Sequence, residues 1–119
     1  MRLNGIVQLS RWDMERINDA LVYVEKHYRR PISADHLSLE VNLSKEKLQA
    51  GIQRQTGLTL HLHVLKVRME KAKELLRDTN HPVKSIAAAT GFKRASHFID
   101  TFKRFHAQTP NQYRIQLAV

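Results

Sequence analysis

Ser96 and His97 put a nucleophile next to a base in the sequence, but neighbours on a helix point about 100° apart, so the pair cannot work as a proton-relay couple. The acids Glu46 and Asp100 fall in different segments, and no Gly-rich phosphate loop is present. His61 and His63 are the closest histidine pair. Two positions apart on a helix, they would sit about 200° apart and could not face one ion. Cysteine is absent, which removes thiolate metal sites and disulfides. These residues predict no enzyme, no metal site and no cofactor. What remains is positive charge: 20 Lys and Arg against 11 Asp and Glu, a net +9. Residues 1–44 are balanced, residues 45–80 carry +4 and residues 81–119 carry +5. An excess confined to the later part of the chain predicts a directed electrostatic footprint for a polyanion.

The elements that must position those charges are helices. Glycine and proline are few, strand-like alternation is missing, and apolar residues recur at spacings of three and four. The fold class is therefore all-α, with about seven helices. The first runs from Asp13 to about Arg29, with Met14, Ile17, Leu21, Val24 and Tyr28 on one stripe, and stops before Pro31. Ser33 caps a short helix to Val41; Asn42-Leu43 turns into Ser44, which caps the next helix; Gly57 ends that one. Thr59 caps a long helix to about Arg77, with Leu60, Val64, Val67, Ala72, Leu75 and Leu76 as its buried positions. About 19 residues at ~1.5 Å each make a rod of roughly 28 Å. Then come a short helix over Val83–Thr90, a turn at Gly91, a longer helix from Ala95 to about His106, and a last one from Pro110 to near Gln116. No apolar run suits a signal peptide or a membrane span, so the chain reads as soluble and cytoplasmic, with no membrane partner.

The pattern repeats. Val41-Asn42-Leu43 matches Thr90-Gly91-Phe92 at an offset of 49, and Leu48, Ile52 and Thr59 match Phe98, Phe102 and Thr109 at an offset of 50. Two short helices with a turn between them form a helix-turn-helix, here used twice. The expected organisation is residues 1–10 as an extension or linker, 11–58 as the first such subdomain, 59–78 as a linker helix and 79–119 as the second subdomain. A helix of this length fits the major groove, about 12 Å wide, with its N-terminal residues toward base edges. Two of them held one rod apart suit adjacent major grooves, which lie about 34 Å apart on one face of the duplex.

The segments GFKRASHFIDTFKRF and QTPNQYR, within residues 91–114, resemble the signature of AraC/XylS-type transcription regulators. LSKEKLQAGIQRQTG (43–57) and VRMEKAKELL (67–76) resemble the first reading helix and the linker helix of the same family. The resemblance covers about Arg11 to Leu117 and implies sequence-specific binding of double-stranded DNA. Carried onto matching positions, the first reading helix presents Lys45, Glu46, Gln49, Ala50 and Gln53. The second presents Arg94, Ala95, Ser96, Ile99 and Asp100. Side-chain chemistry agrees for several of these: glutamine pairs bidentately with adenine, a carboxylate accepts from cytosine, and an alanine methyl touches that of thymine. Lys47, Arg54, Lys93, Lys103 and Arg104 suit phosphates, which fix position without reading sequence.

Some positions depart from the family pattern. Ala50 and Asp100 stand where arginine is usual, which predicts a target unlike that of better-known relatives. Gly51 lies inside a helix, at a cost of roughly 1 kcal/mol relative to alanine. Lys93 replaces the usual capping side chain, and Ala107 replaces a frequent glycine. The resemblance also implies RNA polymerase as a partner of the bound regulator. With no apolar stripe left over, the chain itself predicts a monomer, while relatives often carry a preceding sensing or dimerisation domain through which a longer protein could dimerise. A second reading stays open: a basic helical module that binds an acidic partner, which would show similar affinity for any polyanion.

Overall fold

Ser10 starts the first helix. Its hydroxyl accepts from the Asp13 N–H at 3.0 Å while the Asp13 carboxylate accepts from the Ser10 N–H at 2.8 Å, a reciprocal capping box. Helix α1 therefore spans Arg11–His27, two residues earlier than Asp13 alone would suggest. The computed structural model describes residues 2–3 and 6–118, which divide at Leu65/Lys66 into two compact units. Ahead of α1, β1 (Arg2–Leu3) pairs antiparallel with β2 (Ile6–Val7), Arg2 opposite Val7 and Leu3 opposite Ile6. Two-residue strands are too short to leave an alternating pattern. Of the expected extension over residues 1–10, residues 1, 4 and 5 lie outside the described residues.

The first unit continues with α2 (Ala34–Glu40) and α3 (Lys45–Thr56), both packed on α1 and on each other. Ser33 and Ser44 cap them through their hydroxyls. Its core is Ile17, Ala20, Val24, Leu37, Leu48 and Ile52, all fully buried. Met14 and Leu21, expected in the same stripe, are only half-buried, and Ala20 takes the inner place. Helix α4 (Leu60–Asp78) crosses from the first unit into the second.

The second unit adds α5 (Val83–Ala89), α6 (Ala95–His106) and α7 (Pro110–Leu117). Phe98, Phe102, Ile86 and Met69 are its fully buried large side chains. Met69 joins the expected α4 positions, whereas Leu75 is half-buried. Arg114 binds three backbone carbonyls, those of Leu76 (3.3 Å), Thr79 (3.2 Å) and His81 (2.7 Å), and so ties α7 to the end of α4. Among the described residues the regular structure is thus seven helices and one minimal hairpin, and no helix is long and apolar enough to cross a membrane.

Candidate nucleic-acid interface

Each unit holds a short helix, a tight turn and a longer helix, and the two turns are built the same way. Asn42 and Gly91 occupy the left-handed region at φ 56° and 94°. The residue after each donates back to the short helix, Leu43 N–H to Ser38 at 3.0 Å and Phe92 N–H to Ala87 at 2.9 Å. The longer helices also end alike. Gly57 (φ 75°) donates to Gln53 and Ala107 (φ 59°) to Lys103, each at 2.8 Å. Thr59 and Thr109 then cap the following helices, accepting from Leu62 and Gln112. The repeat legible in the sequence is a repeat of backbone hydrogen bonds.

On α3, Leu48 and Ile52 face the core, and Lys45, Glu46, Gln49 and Gln53 stand exposed on the outward side, with Ala50 half-buried at its edge. Lys45 reaches Asp35 of α2 at 3.2 Å, and the Gln53 amide donates to the Gly57 carbonyl at 3.1 Å. Beside Gln49 and Gln53 an open cleft of about 450 Å³ is walled by Ile32, Ala34, Thr59, Leu60 and His61. The expected base-reading residues of the first unit therefore share one surface.

Half-buried Lys47 and exposed Arg54, the expected phosphate contacts of this helix, each have a partner within the fold. The Lys47 ammonium lies 3.1 Å from the Asp13 carboxylate, whose side chain is only 5% exposed. The Arg54 guanidinium donates to the backbone carbonyl of Val7. Hydrogen bonds from Ser10 first, and then the Lys47 charge, hold the Asp13 carboxyl below the ordinary carboxylate range against the opposing effect of burial. Sequence reasoning missed this buried acid, although the Ser10-x-x-Asp13 spacing of a capping box was there to be read. It also took Gly51 for a helix defect. A Cβ built at 51 would stand 1.8 Å from Ile17 Cδ1 and 2.5 Å from its Cγ1, so the glycine lets α3 approach α1.

In the second unit, Ser96, Asp100, Lys103 and Arg104 are exposed along α6, Ala95 and Ile99 are half-buried, and Lys93 and Arg94 are exposed just ahead of the helix. The first residue before α6 is Arg94, and no side chain caps the helix. Aromatic packing supports it instead. Phe92 meets Phe98 edge-on at 5.4 Å, Phe98 meets Phe102 at 6.0 Å, and Phe102 meets Tyr113 at 5.8 Å. Cations of α4 cover the outer rings, Arg68 over Phe92 at 5.5 Å and Lys73 over Tyr113 at 5.7 Å. His106 packs on Phe102 with its Nε2 buried and unpartnered, and burial, then Lys73, push its pKa down.

The chain matches a family model described as a helix-turn-helix domain over residues 37–116. The transcriptional activator RhaS of Klebsiella pneumoniae is 32% identical over 114 residues, covering 96% of this chain and 41% of that protein. The C-terminal domain of AraT, a response regulator from Geobacillus stearothermophilus, shares 30% identity at a TM-score of 0.80, covering 92% of this chain and 88% of that one. A Chromobacterium violaceum transcriptional regulator described as AraC-type is 25% identical at a TM-score of 0.82, covering 92% of this chain and 97% of that one. The chain spans less than half the length of the curated relatives it matches.

Proposed function

Because the chain belongs to the AraC/XylS-type helix-turn-helix family, we propose that it binds a specific sequence of double-stranded DNA and thereby regulates transcription. The observation that carries this reading is the matched pair of frames. In each, a left-handed turn presents a longer helix whose apolar side is buried and whose polar side is open. The exposed side of such a helix, with its N-terminal residues foremost, is the part that reaches base edges. Lys45, Glu46, Gln49, Ala50 and Gln53 read one segment, and Arg94, Ala95, Ser96, Ile99 and Asp100 another. Gln49 and Gln53 are suited to adenine, and Glu46 and Asp100 to the amino group of cytosine. Lys93, Lys103 and Arg104 lie exposed beside the second set and supply phosphate contacts. The side chains that read are thus distinct from those that provide non-specific attraction. The chain performs no catalysis; it acts as a monomer on an asymmetric site, and the bound regulator positions RNA polymerase, a step that rests on family membership.

Selection from a random duplex library, followed by binding of enriched and scrambled sequences across a salt series, tests the reading. A motif in two parts, with a preference that survives higher salt, is the expected result. If nothing enriches and affinity falls with salt identically for every duplex, the +9 charge acts only as a general polyanion binder.

A further inference from the structure

Lys47, Gly51 and Arg54 are spaced four and three residues apart, which places them on one stripe of α3. All three meet α1 or the residues just before it: Lys47 at Asp13 and Gly51 at Ile17 within the helix, Arg54 at the Val7 carbonyl ahead of it. The base-reading candidates occupy other positions around the same helix. The Asp13 carboxylate serves two masters, since the oxygen that receives Lys47 also accepts the Ser10 N–H that closes the α1 cap. Taking Lys47 away to a DNA phosphate would leave a nearly fully buried carboxylate with only backbone and hydroxyl partners, which is costly in a low-dielectric setting.

We infer that Lys47 and Arg54 are positioning residues that strap the first reading helix to residues 7–13 and so set the rotation at which Gln49 and Gln53 meet the bases, rather than phosphate contacts. The inference rests on the DNA-reading function proposed above. The strap has a consequence for regulation: any event that displaces residues 7–10, the stretch through which a preceding segment would pull, acts on the sequence preference of α3 through two bonds.

The test compares the unaltered 119-residue chain with Lys47→Met, Asp13→Asn and the double variant, on the selected duplex and on a scrambled one, over a salt series. A lost phosphate contact lowers the slope of log affinity against log salt by about 0.9. The strap predicts instead an unchanged slope and unchanged scrambled-duplex affinity in Lys47→Met, with the preference for the selected duplex cut roughly tenfold or more. Asp13→Asn gives the same loss although it removes a negative charge, and the double variant loses no more than either single one. A slope lowered by about 0.9 with the preference retained, or an Asp13→Asn chain that binds as well as or better than the unaltered one, overturns the inference alone. Absence of any preference in the unaltered chain overturns the DNA-reading function, and the aim assigned to the strap with it. Where a variant fails to fold, NMR of the Lys47 ammonium and the Asp13 carboxyl in the unaltered chain at neutral pH decides: both signals keep their positions on adding the selected duplex if Lys47 remains on Asp13, and both shift if Lys47 leaves for a phosphate.

Discussion

The two helix-turn-helix units share a backbone plan and differ in what holds their reading helices. In the first, Ser44 caps α3, Gly57 ends it, and polar ties from Lys47 and Arg54 bind it to the residues before and within α1. In the second, α6 has no side-chain cap and ends on Ala107 at φ 59°, a conformation that costs an L-residue roughly 1–2 kcal/mol. A buried file of Phe92, Phe98 and Phe102 replaces what the caps do not provide. The turn geometry, common to both, is what presents a helix to the groove. The supports differ: polar ties from Lys47 and Arg54 beside the buried Leu48 and Ile52 in one unit, a file of aromatic rings in the other.

Truncating matched core positions gives the largest effect. Phe98→Ala should cost about 3–5 kcal/mol and Leu48→Ala about 2–5 kcal/mol, read from denaturant midpoints. The phenylalanine variant should lose the second unit first. A cost that is larger for Leu48→Ala would reverse the assignment of which helix depends on packing.

Gly51→Ala comes next. Helix propensity alone predicts a gain of about 1 kcal/mol, whereas overpacking against the buried Ile17 predicts a loss of about 1–3 kcal/mol. Net destabilisation by thermal unfolding supports the close approach of α3 to α1; a gain denies it.

The units should also differ in their response to acid. Asp13 is held below its ordinary value of 3.8 in the folded chain, so its contribution to stability is full above that value and is lost as pH falls through the lower folded one. His106 is likewise depressed from 6.5, but as a base. The unfolded chain takes up its proton first, and stability declines as pH falls below about 6.5. Asp13→Asn should flatten the lower limb only and His106→Phe the upper limb only, in unfolding measured over a pH series.

The smallest expected change is at the matched helix ends. Ala107→Gly should stabilise by up to about 1 kcal/mol by relieving the left-handed residue, offset in part by the freer unfolded chain. Gly57→Ala should destabilise by a similar amount. If both substitutions act with the same sign, the helix ends are not equivalent.

Much of this was readable in advance because it is local. Asn42, Gly57, Gly91, Ser33, Ser44 and Thr59 announce turns and caps within a few residues of themselves, and apolar spacing marks the helices between them. The surface carrying Lys45, Glu46, Gln49 and Gln53 follows from helical periodicity once Leu48 and Ile52 are taken as core. What was not readable depends on distant partners. Nothing near Lys47 signals Asp13, and nothing near Gly51 signals Ile17. Arg114, in the QTPNQYR segment, owes its place to three carbonyls more than 30 residues earlier. Side-chain type marks Lys47 and Arg54 as candidates for phosphate, and only the fold shows that each also has an internal partner.

The separation of reading from attraction is tested most directly by comparing Gln49→Ala with Lys103→Ala, each titrated against the selected duplex, its single-base variants and scrambled DNA over a salt series. Gln49→Ala should cost about 1–3 kcal/mol on the selected duplex and relax the preference at one base, with the salt slope unchanged. Lys103→Ala should weaken binding to every sequence alike and lower the slope by about 1. Equal losses from both variants on every duplex, with the same change of slope, would contradict the division of labour assigned to the two sets of side chains.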